Sequence, residues 1–303
     1  MRIVTLLPSA TEIVYVLGLG EALAGVSHDC DYPEDVRSKP VLSQSAVPLD
    51  VPSKGMDEAV KGRIHSGLSV YHIDADLLNR LKPDLILTQE LCEVCAPSYS
   101  EVLEAAKVLD AAPKIVSLEP TCLADILENI RLVGELTGRQ AQAEALITEL
   151  QTRIDKVAKL AGEAESRPRV FCMEWLEPAY CAGHWVPEMV RMAGGEDGLG
   201  KPGEPSYEIA WDEVLRYAPE VIVLMPCGFH PDRALGEIDT VLGYEGWAKL
   251  PAVRNGQVFI VDGSSYFNRP GPRIVTGLEI LAQIIHPEIF SDLVPPGSLL
   301  PLS

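Results

Sequence analysis

Residues 139–165 read RQAQAEALITELQTRIDKVAKLAGEAE, with neither proline nor glycine before Gly162. Ala143, Leu146, Ile147, Leu150, Ile154, Val157, Ala158 and Ala161 recur at intervals of three and four, the period of an amphipathic helix. Such a helix is about 35–40 Å long, the width of a small domain. It falls near the middle of a 303-residue chain, so the fold must be built as one body before it and another after it.

On both sides, short apolar runs alternate with helical patterns. Before the helix the runs are RIVTLL (2–7), ALAGVS (22–27), DLILT (84–88) and KIVSL (114–118), with DADLLNRLKP and YSEVLEAAKVL among the helical stretches. Ser9 and Glu12 form S-x-x-E, the pattern of a capping box, for a helix running to Gly18 or Gly20. After it come RVFCMEW (169–175), VIVLMP (221–226) and QVFIVD (257–262), interleaved with PEMVRMAGG and closed by RIVTGLEILAQIIH (273–286). This alternation implies parallel sheets with helices on their faces. The expected class is α/β: two lobes with mostly parallel sheets, joined by one long rigid backbone helix, with a ligand cleft between the lobes. The expected boundaries are 1–138 for the N-terminal lobe, 139–166 for the linker helix and 167–303 for the C-terminal lobe.

The chain carries 25 Lys and Arg against 44 Asp and Glu, a formal net charge of −19. A polyanion would be repelled, so nucleic acid and anionic membrane surfaces are poor partners. A small-molecule ligand is compatible. No apolar run reaches the roughly 18–20 residues of a membrane span. The N-terminal MRIVTLLPSA is too short for a signal peptide and is cut by Pro8. As written the chain is expected to be cytoplasmic, and periplasmic or extracellular if a signal has been trimmed. The seven cysteines are scattered rather than clustered, which reads as free thiols in a reducing compartment.

In open parallel sheets, ligands gather outside the carboxyl ends of the strands. Those ends carry Ser9 after the first run, His28, Cys30 and Tyr32 after the second, and Gln89, Glu90, Cys92 and Cys95 after the third. In the second half they carry Glu174, Trp175, Tyr180, Cys181, His184 and Trp185, then Cys227, Phe229 and His230, then Tyr266, Phe267, Asn268, Arg269 and Arg273. The C-x-x-C of Cys92 and Cys95 admits three readings: packing of a tight turn, a ligand or metal contact, or a redox pair. No G-x-S-x-G, H-E-x-x-H, P-loop or G-x-G-x-x-G after a strand is present, so no reaction type is supported and a non-catalytic role with no required cofactor is expected.

LLPSATEIVYVLGLGEALAGVSHDCDYP, LKPDLILTQ, the helix 139–165, AGHWVPEMVRMAGGEDGLG, EVLRYAPEVIVLMPCGF and FNRPGPR together cover almost the whole chain. In these stretches it resembles the substrate-binding proteins of ABC importers for vitamin B12, iron siderophores and haem, whose lobes are joined by one helix. SHDCDYP, TQELCEVCA and PCGF are similar to the cobalamin-binding group of that class. The resemblance implies a monomeric receptor that binds a corrinoid and delivers it to an ABC permease. It implies contacts from Tyr32, Tyr71 and Gln89 in the first lobe and from Trp175, Tyr180, His184 and Trp185 in the second. Members dock through an acidic residue on each lobe; Asp76 and Asp212 stand at those positions.

The leading expectation is therefore a binding protein for a cobalamin-like corrinoid, with Ser9, His28, Cys30, Glu90, Phe229, Phe267 and Arg269 added to the contacts above. The alternative is a transition-metal, haem or siderophore binder using Cys92, Cys95 and Cys227, with Cys30 and one of His28 or His230.

Overall fold

The computed structural model describes residues 1–90, 99–107, 112–291 and 294–302. The chain forms two compact units. The first comprises Met1–Val51, Gly55–Pro120 and Ala124–Ile147; the second comprises Pro52–Lys54, Thr121–Leu123 and Thr148–Ser303.

In the first unit the strands are β1 (Ile3–Thr5), β2 (Leu23–Gly25), β3 (Ser43–Ser45), β4 (Tyr71–Ile73), β5 (Leu85–Thr88) and β6 (Lys114–Ser117). Four make a parallel sheet in the order β2-β1-β5-β6. Ile3 faces Leu85 and Val4 faces Ile86 in register. These side chains are at most 2% exposed, which accounts for continuous apolar runs rather than alternation. β3 and β4 form a separate antiparallel pair that the sequence reading did not foresee. The expected capping box at Ser9 does not form. The helix Pro8–Val16 starts at proline, its cap position is Leu7, and no side chain caps it. Pro8 has no N–H to satisfy and its fixed φ suits the first helical position. Ser9 and Glu12 accordingly lie inside the helix, each 2% exposed.

In the second unit the strands are β7 (Val170–Trp175), β8 (Tyr180–Cys181), β9 (Tyr207–Glu208), β10 (Val221–Leu224), β11 (Val258–Val261) and β12 (Leu299–Pro301), in the order β12-β11-β10-β7-β8-β9. The centre, β11-β10-β7, is parallel. The flanking strands β8, β9 and β12 are antiparallel additions. Phe171, Met173, Ile222, Leu224 and Ile260 belong to its apolar core.

The predicted long helix is present as Gln140–Ala161, 22 residues. Ala143, Ile147, Leu150, Ile154, Val157 and Ala161 form its buried stripe. The division between the units falls within it, after Ile147. Among the described residues no helix is long and apolar enough to cross a membrane.

One local motif occurs once in each unit. The helix Ala75–Leu81 ends on Lys82 at φ 46°, then Pro83, then β5 from Leu85. The helix Trp211–Tyr217 ends on Ala218 at φ 50°, then Pro219, then β10 from Val221. The offset is constant at 136 (211 − 75, 218 − 82, 221 − 85). In both, a left-handed residue ends the helix and proline forbids its continuation.

Candidate functional site

In the first unit, the loops after β1 and β2 share a buried polar floor. The Thr5 and Thr11 hydroxyls are 2.6 Å apart. Thr11 Oγ1 lies 3.0 Å and Ser27 Oγ 3.3 Å from the Cys30 sulfur. Cys30 is 7% exposed, so its thiol is engaged in the floor and presents little surface to a ligand. Ser9 is buried in the same way. Above this floor sits His28. Ser43 Oγ accepts from its backbone N–H at 3.1 Å and lies 2.8 Å from its Nδ1. The Asp29 carboxylate is 3.5 Å from its Nε2. The His28 and Tyr71 rings are 5.6 Å apart and tilted. Tyr32 is 46% exposed, the accessible aromatic among the expected contacts of this unit. Gln89 follows β5 and is 4% exposed. The Glu90 N–H donates to Glu119 Oε1 at 2.7 Å, and the Ser117 hydroxyl donates to the same oxygen. Cys92 and Cys95 lie outside the described residues.

Tyr71 also borders an open hollow of about 410 Å³ with His72, Ile73, Ala75, Glu101, Glu104 and Ala105. Asp76 is exposed in the first turn of the adjoining helix. Asp212 holds the equivalent place in the second unit, exposed in the first turn of its helix, beside a hollow of about 330 Å³ that it lines with Leu215, Lys249 and Leu250.

In the second unit, Trp175 ends β7. Its indole N–H donates to the Ser53 carbonyl at 3.1 Å, and its ring meets Phe229 edge-on at 5.3 Å. The Ser53 N–H donates to Glu237 Oε2 at 2.7 Å, and Lys54 pairs with Glu177 at 3.2 Å. The Leu123 N–H donates to Glu188 Oε2 at 3.0 Å. Both short segments assigned to this unit from earlier in the chain are thus held by side-chain hydrogen bonds. Phe229 and Phe267 are 2% and 0% exposed, and Trp185 is 6% exposed, with its indole N–H donating to the Phe267 carbonyl at 2.8 Å. Burial gives these three rings packing roles beneath the surface. Tyr180, on β8 opposite Trp175, and Arg269 are half-buried.

His184 adopts φ 51° and stacks on Trp185 at 5.4 Å. Its Nε2 is buried with no hydrogen-bond partner, and desolvation lowers its pKa, which keeps the imidazole neutral. Glu174, a strand-end residue outside the expected ligand contacts, ties the loops here together. Its carboxyl accepts from the Ser206 hydroxyl and the Gly183 N–H; these bonds pull its pKa down, but burial dominates and raises it to about 7. The same loops cross so closely that a Cβ on Gly183 would meet the backbone of Glu204, Pro205 and Ser206. Burial pushes the Cys172 and Cys181 thiols up, so both stay protonated.

The turn after β10 carries Cys227, whose N–H donates to the Glu174 carbonyl at 2.9 Å, and His230. His230 Nδ1 lies 3.1 and 3.0 Å from the two carboxylate oxygens of Asp262. Among the described residues no group of three or more His, Cys, Asp or Glu is placed to hold a metal ion. The multi-cysteine cage of the alternative reading is therefore not assembled by Cys30, Cys227, His28 and His230; its other two members are outside the described residues.

Residues 3–264 match the model of a family described as periplasmic binding protein. An uncharacterized ABC transporter substrate-binding lipoprotein of Bacillus subtilis is 24% identical, covering 96% of this chain and 82% of its own. A vitamin B12-binding protein of Vibrio cholerae is 25% identical, covering 92% and 86%. The solved structure of a periplasmic heme-binding protein from Roseiflexus superposes with a TM-score of 0.71 at 21% identity, covering 94% of this chain and 98% of its own; that likeness is one of fold. These relatives are named as a lipoprotein and a periplasmic protein, and the expectation of a cytoplasmic location finds no support among them.

Proposed function

The chain belongs to the periplasmic binding protein family, and on that premise we propose that it is the solute-binding component of an ABC import system, with a cobalamin-like corrinoid as its ligand. The observation that carries the reading is the likeness, over nine-tenths of the chain, to a relative named for vitamin B12. The residues we assign to the ligand are His28, Tyr32, Tyr71 and Gln89 in the first unit and Trp175, Tyr180, His184 and Arg269 in the second. His28, Gln89 and Trp175 sit at or just past the carboxyl ends of β2, β5 and β7, where ligands of parallel sheets bind. A large, flat, amide-bearing ligand suits aromatic faces with a few polar groups between them. The role is binding and release, without a chemical step, outside the cytoplasm.

Asp76 and Asp212 are the proposed permease contacts. Each is exposed, each opens the copy of the repeated helix–proline–strand motif in its own unit, and acidic side chains at helix N-termini suit basic sockets on a partner.

The test is a titration of the reduced protein with cobalamin, cobinamide and haem, followed by calorimetry and visible absorbance. Saturable one-to-one binding of a corrinoid at micromolar or lower concentration is expected. Binding of haem in preference to both corrinoids would move the assignment to haem, and binding of none would overturn it.

A further inference from the structure

Glu174 stands at a β-bulge. In the antiparallel pair of β7 and β8, Met173 faces Cys181 and Trp175 faces Tyr180. Two steps of β7 are matched by one of β8, and Glu174 is the extra residue. A bulge re-aims the side chain it carries. This one lies beside Trp175 and Tyr180, both assigned to the ligand, and its carboxyl accepts from the Gly183 N–H and the Ser206 hydroxyl. The next residue, His184, is held at both of its backbone groups. Its N–H donates to the Glu204 carbonyl at 2.6 Å, and its carbonyl accepts from the Gly203 N–H at 2.9 Å. At φ 51°, His184 is in a left-handed conformation that a residue with a Cβ keeps only where its surroundings impose it. The Glu174 carboxyl joins the two stretches of chain, 183–184 and 203–206, that impose it.

We propose that Glu174 is a positioning residue for the ligand, holding His184 in place through Gly183 and Ser206. The inference rests on the corrinoid reading. It also makes binding sensitive to one proton. Glu174 is half-buried as a residue, and a ligand lying on Trp175 and Tyr180 covers more of it. Covering an ionised carboxylate removes its hydration, whereas the protonated acid loses little. Burial, opposed by the two hydrogen bonds, brings the carboxyl to about 7 before any ligand arrives. Covering it raises that value further. Affinity is therefore full below about 7 and falls as pH rises through it. The titratable groups packed about it are Cys172 on its own strand, Cys181 on β8, Tyr207 on β9, His184 and Glu204 on the two loops, and Cys227 after β10. Both strand thiols are pushed up, in part by the charges of Asp197 and Glu174, desolvation keeps His184 neutral, and Glu204 pairs with Lys201 at 3.7 Å.

The test is calorimetric titration of the full chain with cyanocobalamin, whose own charge is constant over the range used, near pH 6 and near pH 8. Glu174→Gln keeps the shape and an acceptor but has no proton to lose. It is expected to equal wild type near pH 6 and to bind up to about ten-fold more tightly than wild type near pH 8. Other titrating groups act in both proteins and cancel in the ratio. Glu174→Ala, checked for folding by circular dichroism, removes the acceptor of both donors and should weaken binding about ten-fold near pH 6. In a His184→Ala background the same change should add little, because its effect runs through that side chain. If Glu174→Ala does not fold, the Glu174→Gln ratio decides. A ratio that stays constant between the two pH values, or losses from Glu174→Ala and His184→Ala that add in full, overturns the positioning role and leaves the corrinoid reading standing. Failure of wild type to bind at either pH overturns both.

Discussion

The indole N–H of Trp175 donates to the carbonyl oxygen of Ser53 at 3.1 Å, across 122 positions of sequence. Ser53 is 1% exposed, so this carbonyl has little water to turn to. Trp175→Phe keeps an aromatic ring against Phe229 but strands the acceptor. It is expected to lower stability by about 1–3 kcal/mol. Denaturant unfolding monitored by circular dichroism measures it, and an unchanged midpoint would show that the bond contributes nothing.

Glu174 makes stability depend on pH. Burial lifts its carboxyl from an ordinary value near 4.5 to about 7, so the folded chain holds this proton more tightly than the unfolded one. The resulting stabilisation is full below the unfolded value and is lost as pH rises through about 7. Up to about 3 kcal/mol is at stake. Glu174→Gln should match wild type near pH 5 and exceed it near pH 8. Other titrating groups, such as Asp197 with its own raised carboxyl, act equally in both proteins and cancel. Parallel unfolding curves at the two pH values would refute the assignment.

Gly183 is required by packing. A Cβ there would lie 2.5 Å from the Ser206 nitrogen and 2.6 Å from the Pro205 carbonyl carbon, and backbone has no rotamer with which to yield. Gly183→Ala should cost about 2–3 kcal/mol and release Ser206 from Glu174. A thermal melt reads the loss; a crystal structure with the loops unmoved would contradict it.

Cys30 belongs to the floor formed by Thr11 and Ser27. Cys30→Ala should cost about 1–2 kcal/mol through the cavity and the lost partner, while corrinoid affinity by calorimetry stays at the wild-type value. A large drop in affinity with an intact fold would return the thiol to the ligand contacts.

Charge reversal at the two repeated acids tests docking. Asp76→Arg and Asp212→Arg should leave ligand affinity unchanged and abolish stimulation of transport when protein is added to permease in proteoliposomes. Transport equal to wild type would remove these residues from the interface.

The parallel strands and the long helix were legible because their signals are local: unbroken apolar runs, prolines at their borders and a three-four spacing. β8, β9 and β12 are two or three residues long, too short to carry a period. Ser9 misled because Pro8 occupied the position on which the capping pattern depends. Among the expected site residues, aromatic character carried no information about the depth of each ring. Phe267 and Trp185 look like Tyr32 in sequence, and only packing separates the buried from the exposed. Glu174 stood among the strand-end residues, but its altered acidity could not be read there: it is a property of its enclosure, assembled from segments ending near residue 206.

Because Pro52–Lys54 and Thr121–Leu123 belong to the second unit, a gene cut at the long helix is expected to give a C-terminal half that lacks two of its own segments. A product starting at Thr148 would encode every strand of the second sheet yet leave Trp175, Glu237 and Glu188 facing water where Ser53 and Leu123 belong. The tripeptides act as splints carried by the other half. Complementation of the C-terminal product should therefore require a fragment that contains both.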